Sequence, residues 1–125
     1  MPDLGRFLVV VHGILAALWV ATLFHPARSL RPRLSAGLGV LAVGIGFFVY
    51  PTYRMLRKPG LLREAYEVAL VFERKEHLGF YALVLCLGGY FLASHAPETA
   101  RLCIRLAALV ASLALLGGLV VSSTP

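Results

Sequence analysis

Charge is scarce in this sequence. Asp, Glu, Lys and Arg make up 14% of its 125 residues, and hydrophobic residues make up 59%. Ordinary soluble domains carry about 25% and roughly 45–50%. That shortage excludes a soluble globule and a disordered tail. Two cysteines are too few for a disulfide framework. The net charge of +6 does not signal nucleic acid, because the basic residues lie between apolar runs rather than on one polar face. No phosphate-binding glycine loop, nucleophile elbow or paired metal-ligand spacing is present. Every acid (Asp3, Glu64, Glu67, Glu73, Glu76 and Glu98) lies outside the apolar runs, so no membrane-embedded carboxylate is available for proton-coupled cation export.

What is present is apolar sequence in four blocks. Residues 7–27, 34–53, 77–97 and 106–125 contain no Asp, Glu, Lys or Arg. Each is on the order of 20 residues, the length of helix that crosses a hydrocarbon core about 30 Å thick. Backbone groups in lipid must be satisfied internally, and the runs lack the alternation of barrel strands. The sequence therefore predicts an all-α, four-helix transmembrane bundle, up-down-up-down, as a single domain over 1–125. Its helices fall near 6–25, 34–53, 61–95 and 98–121. The first run is too long for a typical signal-peptide core, holds His12 and lacks a small-x-small cleavage site, so it is expected to be a retained helix.

Local chemistry sets the boundaries. Pro26 and Pro32 frame the first loop and should end helix 1 near Phe24. Pro51, between Tyr50 and Tyr53, should kink or end helix 2, and Pro59-Gly60 marks a turn. Pro97 opens helix 4, with Glu98 in its first turn where the helix dipole favours an anion. Leu61, Ala65, Val68, Ala69 and Phe72 recur at helical spacing, which predicts an amphipathic helical extension running into helix 3. Arg6, Arg54, Arg57, Lys58, Arg63, Arg74 and Lys75 lie on one side of the bundle. Arg28, Arg31, Arg33, Arg101 and Arg105 lie on the other. The bias favours both termini inside the cell, as in an integral protein of a bacterial inner membrane. Ser35, Gly39, Ala42 and Gly46 form a small-residue ridge on helix 2, suited to close helix packing or to a flat cofactor. Gly88-Gly89 and Gly117-Gly118 admit the same two readings. Cys86 and Cys103 read as buried free thiols.

The four histidines stand out against so few polar residues, because ionisable groups inside a membrane mark function. Imidazole is a common axial ligand of haem iron. In an up-down-up-down bundle helices 1 and 3 run parallel, so His12 and His77 lie toward the same side and are the candidate axial pair for one haem b. Glu73, four residues before His77, is placed to orient its ring. His25 and His95 lie toward the opposite side as candidates for a second haem. Interfacial hydrogen bonding to backbone or headgroups is the alternative, strongest for these two. Tyr53 and Arg54 are candidates for haem propionates or a quinone headgroup, and the basic patch Arg54, Arg57, Lys58 and Arg63 suits anionic lipid.

The stretch His12-Gly13-Ile14-Leu15-Ala16-Ala17-Leu18-Trp19, followed by Leu23-Phe24-His25-Pro26-Ala27-Arg28, resembles the first helix of the small four-helix membrane protoporphyrinogen oxidases and of related copper-resistance-type membrane proteins. That resemblance implies a four-helix, haem-b-binding membrane protein with an essential histidine near the start of helix 1 and an essential lysine opening helix 3. The matching positions are His12 and Lys75. The likeness departs at Pro26-Ala27-Arg28, where the family has proline directly followed by arginine, and across helices 2 and 4.

Two functions follow as expectations. In the first, the chain binds haem b and transfers electrons between a quinone and a partner protein, with protoporphyrinogen oxidation as an enzymatic variant. In the second, it is a non-catalytic accessory subunit that packs in a larger membrane complex through its glycine ridges and the extension over residues 61–76. Both place it in the lipid bilayer, without nucleic acid, and leave a homo-oligomer open.

Overall fold

The computed structural model describes residues 2–24 and 31–123. They form five helices: α1 (Pro2–Phe24), α2 (Arg31–Leu56), α3 (Lys58–Glu64), α4 (Tyr66–Leu92) and α5 (Pro97–Ser123). The four long helices close a ring in the order α1, α2, α4, α5, and short α3 lies against α2 and α4. Within that ring α1 and α4 stand on one diagonal, α2 and α5 on the other. Three helices are long and apolar enough to cross a membrane: Leu4–Phe24, Arg33–Leu56 and Pro97–Ser123. The fourth, α4, is 27 residues long, but its first half carries Glu67, Glu73, Arg74, Lys75 and Glu76.

The helix count corrects the sequence expectation. The extension and helix 3 are not one helix over 61–95. They separate at Ala65, whose φ of −149° and ψ of 64° leave the helical region. No proline or glycine stands at the break. Packing accounts for it: the turn lets Leu61 of α3 join Ala69 and Phe72 of α4 and Tyr53 of α2 in one buried cluster. Pro59-Gly60 is not a turn either. Pro59 sits in the first turn of α3, where a missing N–H costs nothing because those groups have no helical partner. Pro51 neither ends nor shortens α2, which runs on to Leu56. The ring of Tyr53 stacks on Phe72, with centroids 3.5 Å apart, and this holds the last turn in register beyond the proline.

The interior packs many small residues around a few large ones, among them Trp19, Tyr53 and Phe72, and the exterior carries large apolar side chains. Ala36, Ala42, Ala69, Ala82, Ala100, Ala107, Ala108 and Ala111 are buried, whereas Phe47, Phe48 and Phe91 are 80%, 81% and 70% exposed. Such an exterior suits lipid, and a small-residue interior is how helices gain contact where burial from water is not the driving force. On α5, Ala100 and Ile104 meet Gly89 of α4 so closely that a Cβ on Gly89 would stand 2.7 Å from the Ile104 side chain.

The ridge on α2 receives α1. A Cβ on Gly39 would stand 2.7 Å from the Trp19 ring, and Ala42 beside it is buried. Ser35, the buried polar residue of this face, lies 2.6 Å from Thr22 Oγ1. Thr22 donates its own proton to the Trp19 carbonyl at 2.7 Å, so the Ser35 hydroxyl is the donor to Thr22. Cys86 of α4 closes this core beside Trp19 as a buried free thiol, and Cys103 is free and half-buried.

This packing separates two glycines of one helix. Alanine is favoured over glycine in a helix interior by about 1 kcal/mol. Gly44→Ala, with nothing within 4 Å of the new methyl, should be neutral or stabilising. Gly39→Ala drives a methyl into the buried Trp19 ring and should destabilise by about 1–3 kcal/mol. Denaturation of both variants in mixed micelles checks the sign, and equal effects would contradict the packing described.

Candidate functional site

His12 is half-buried on α1, one side of its ring against α2. Seven residues separate it from Trp19, and seven separate Gly46 from Gly39. Seven residues fall about 20° short of two full helical turns, so the two large residues share a face of α1 and the two glycines share a face of α2. Because the helices are antiparallel, Trp19 meets Gly39 and His12 meets Gly46. A Cβ on Gly46 would stand 2.9 Å from His12 Cε1. Without one, the ring comes close enough for Nδ1 to lie 2.8 Å from the Ala42 carbonyl oxygen. A carbonyl only accepts, so Nδ1 carries the proton and donates. In the neutral ring Nε2 then holds the lone pair.

Lys75 reaches the same end of the bundle from the opposite corner. Its stem lies on Gly117 and Gly118 of α5. Its Nζ is 2.8 Å from Glu76 Oε1 and 4.7 Å above the centroid of the Phe72 ring. Phe72 is the hub of this end, stacked on Tyr53 and, at 6.1 Å between centroids, beside Tyr50. The Tyr53 hydroxyl is buried and has no hydrogen-bond partner among the described residues.

The other sequence candidates lie elsewhere. His77 is exposed, and its Nδ1 donates to the Glu73 carbonyl 2.7 Å away. Glu73 thus orients the ring through its backbone, while its carboxylate pairs with Lys58. His95 is exposed in the turn between α4 and α5, with Nδ1 2.9 Å from Ser94 Oγ. Arg54 is exposed at the end of α2. His25 lies outside the described residues. Among the described residues no three His, Cys, Asp or Glu side chains converge to hold a metal ion. A haem needs only one or two axial donors, so it stands apart from that test.

Three parts of the site escape a reading of side-chain types. The Ala42 carbonyl is a backbone group, the glycine platform under Lys75 lies on another helix, and Phe72 reads as one more apolar residue. The seven-residue steps 12–19 and 39–46 are the signal that pairs His12 with Gly46. Compared with known proteins, the chain matches no family model, and no curated protein or solved structure shows significant similarity to it.

The Lys58–Glu73 pair fastens α3 to α4 outside the apolar runs. The hydrogen bond from Lys58 is the main cause holding the Glu73 carboxyl below its usual range. A lowered folded pKa means that the pair stabilises above the unfolded carboxyl range near pH ~4.3 and loses this as pH falls through the folded value. Exposed pairs contribute about 0–1 kcal/mol, so the effect is local. Amide-exchange protection of α3 should fall in that acid range, and Lys58→Met should show the reduced protection already at neutral pH. Unchanged protection in the variant would mean that the pair does not hold α3.

Proposed function

We propose that the chain is a b-type haem-binding protein of the membrane, built as a four-helix transmembrane bundle, that passes electrons between a quinone and a partner. The carrying observation is His12, a half-buried histidine whose Nδ1 is tied to the Ala42 carbonyl at 2.8 Å. An imidazole held in this way offers Nε2 to iron in a fixed tautomer and orientation. The donor chemistry and the glycine-lined seat therefore fit a haem ligand. Haem, when bound, supplies one-electron redox chemistry. His12 would hold the iron. Lys75 and the unpartnered Tyr53 hydroxyl would bind acidic or carbonyl oxygens at that end of the bundle.

Lys75, half-buried where His77 is exposed, is the residue taken together with His12. This pair coincides with the two positions that the helix 1 resemblance singles out, and protoporphyrinogen oxidation is the enzymatic form of the proposal. With His95 exposed in a turn, one haem is favoured over two. The fourth crossing is α4. Its 16 residues from His77 to Leu92 span about 24 Å at 1.5 Å per residue. Arg74 can extend the span by carrying its charge toward the headgroups on its apolar stem. Both termini then lie with the more basic loop, inside a bacterial inner membrane. The accessory-subunit alternative is less favoured, because the α2 ridge is filled by Trp19 and His12 and the Leu61 face is buried within the chain.

A reduced-minus-oxidised absorption spectrum of the detergent-purified protein, with haem quantified, tests this. Sharp b-type bands and about one haem per chain are expected. His12→Ala should abolish them, and His77→Ala should retain most of the haem. A colourless protein from haem-replete cells would overturn the proposal, and full haem content in His12→Ala would overturn the role of His12.

A further inference from the structure

The outer face between α4 and α5 carries a second feature, independent of haem. Val71, Arg74, Lys75 and Leu78 of α4, with Leu113 and Gly117 of α5, line an open groove of about 230 Å³ whose walls are almost wholly apolar. Gly117 lets the helices close beneath it, since a Cβ there would stand 3.3 Å from Lys75 Cβ. The two cations of the groove differ. Lys75 turns its ammonium to Glu76 and Phe72, so only its stem lines the wall. Arg74 is exposed, and among the described residues no hydrogen bond or ion pair engages it.

We propose that this groove binds one anionic phospholipid, with an acyl chain along Leu78 and Leu113 and its phosphate on the Arg74 guanidinium. Size excludes a helix: Val71 to Leu78 spans about 10 Å of α4, no more than the width of one helix, whereas an acyl chain is far thinner. Charge selects the headgroup. Arg74 lies three residues before the charge-free run that begins at His77, at the end of the bundle that also carries Arg54, Arg57, Lys58 and Arg63. A free guanidinium at headgroup level pairs with phosphate through two parallel hydrogen bonds, and a basic surround favours lipids without a compensating ammonium.

Native mass spectrometry of the full-length protein with dioleoylphosphatidylglycerol or dioleoylphosphatidylcholine tests the proposal. The protein should retain one phosphatidylglycerol in preference to phosphatidylcholine. Arg74→Gln, an exposed position, should lose that preference by about tenfold, the value of a charge-assisted contact. Leu113→Trp, which fills the groove, should lower retention of both lipids while helicity by circular dichroism stays unchanged. Inorganic phosphate should not displace the lipid. Equal retention of the two lipids, an unchanged Arg74→Gln, an unchanged Leu113→Trp, or displacement by phosphate alone would each overturn it.

Discussion

The hydrogen bond from His12 to the Ala42 carbonyl exists because Gly46 has no side chain. The ring lies where a Cβ would be, 2.9 Å from Cε1, and only from there does Nδ1 reach the backbone of α2. The same constraint recurs two turns along, where Gly39 admits Trp19. The register of α1 on α2 is thus set by two large residues entering two gaps. Slipping either helix by one residue would turn both large residues off the gaps and would leave a polar ring in the membrane without its acceptor, a cost of several kcal/mol in a hydrocarbon surround.

Small residues do comparable work on the other side of the ring. Gly89 admits Ile104, and Gly117 and Gly118 carry the stem of Lys75. The half-buried Lys75 has its charge met twice, by the Glu76 carboxylate and by the face of Phe72. Phe72 in turn anchors Tyr53 and the end of α2, and α3 folds over this cluster through Leu61. The cluster at this end is therefore assembled from α2, α3, α4 and α5. His12 and Lys75 approach it along the diagonal between α1 and α4, which do not pack directly.

Much of this architecture is legible in the residue pattern. Charge-free runs locate the long helices, Pro97 with Glu98 opens α5, and the ridge from Ser35 to Gly46 identifies the face of α2 that α1 covers. The break at Ala65 is not legible, because alanine is a good helix former and tertiary burial of Leu61 overrides it. Pro51 does not end α2, since stacking of Tyr53 on Phe72 holds the helix together beyond it. At the site, His12 is conspicuous as a polar residue in an apolar run. Its partner is a backbone carbonyl, invisible to any reading of side-chain types. Parallel helices place His77 at a similar depth, but only the helix rotation decides that it is exposed while the Lys75 stem packs on α5.

The account rests most directly on the state of one ring. Nitrogen-15 magnetic resonance of histidine-labelled protein in lipid bilayers, with His12→Ala to assign the signal, reports which nitrogen carries the proton. A protonated, hydrogen-bonded Nδ1 and a bare or iron-bound Nε2 are expected for His12. A proton on Nε2 with Nδ1 bare would contradict the hydrogen bond to Ala42, and with it the basis for assigning His12 as a ligand.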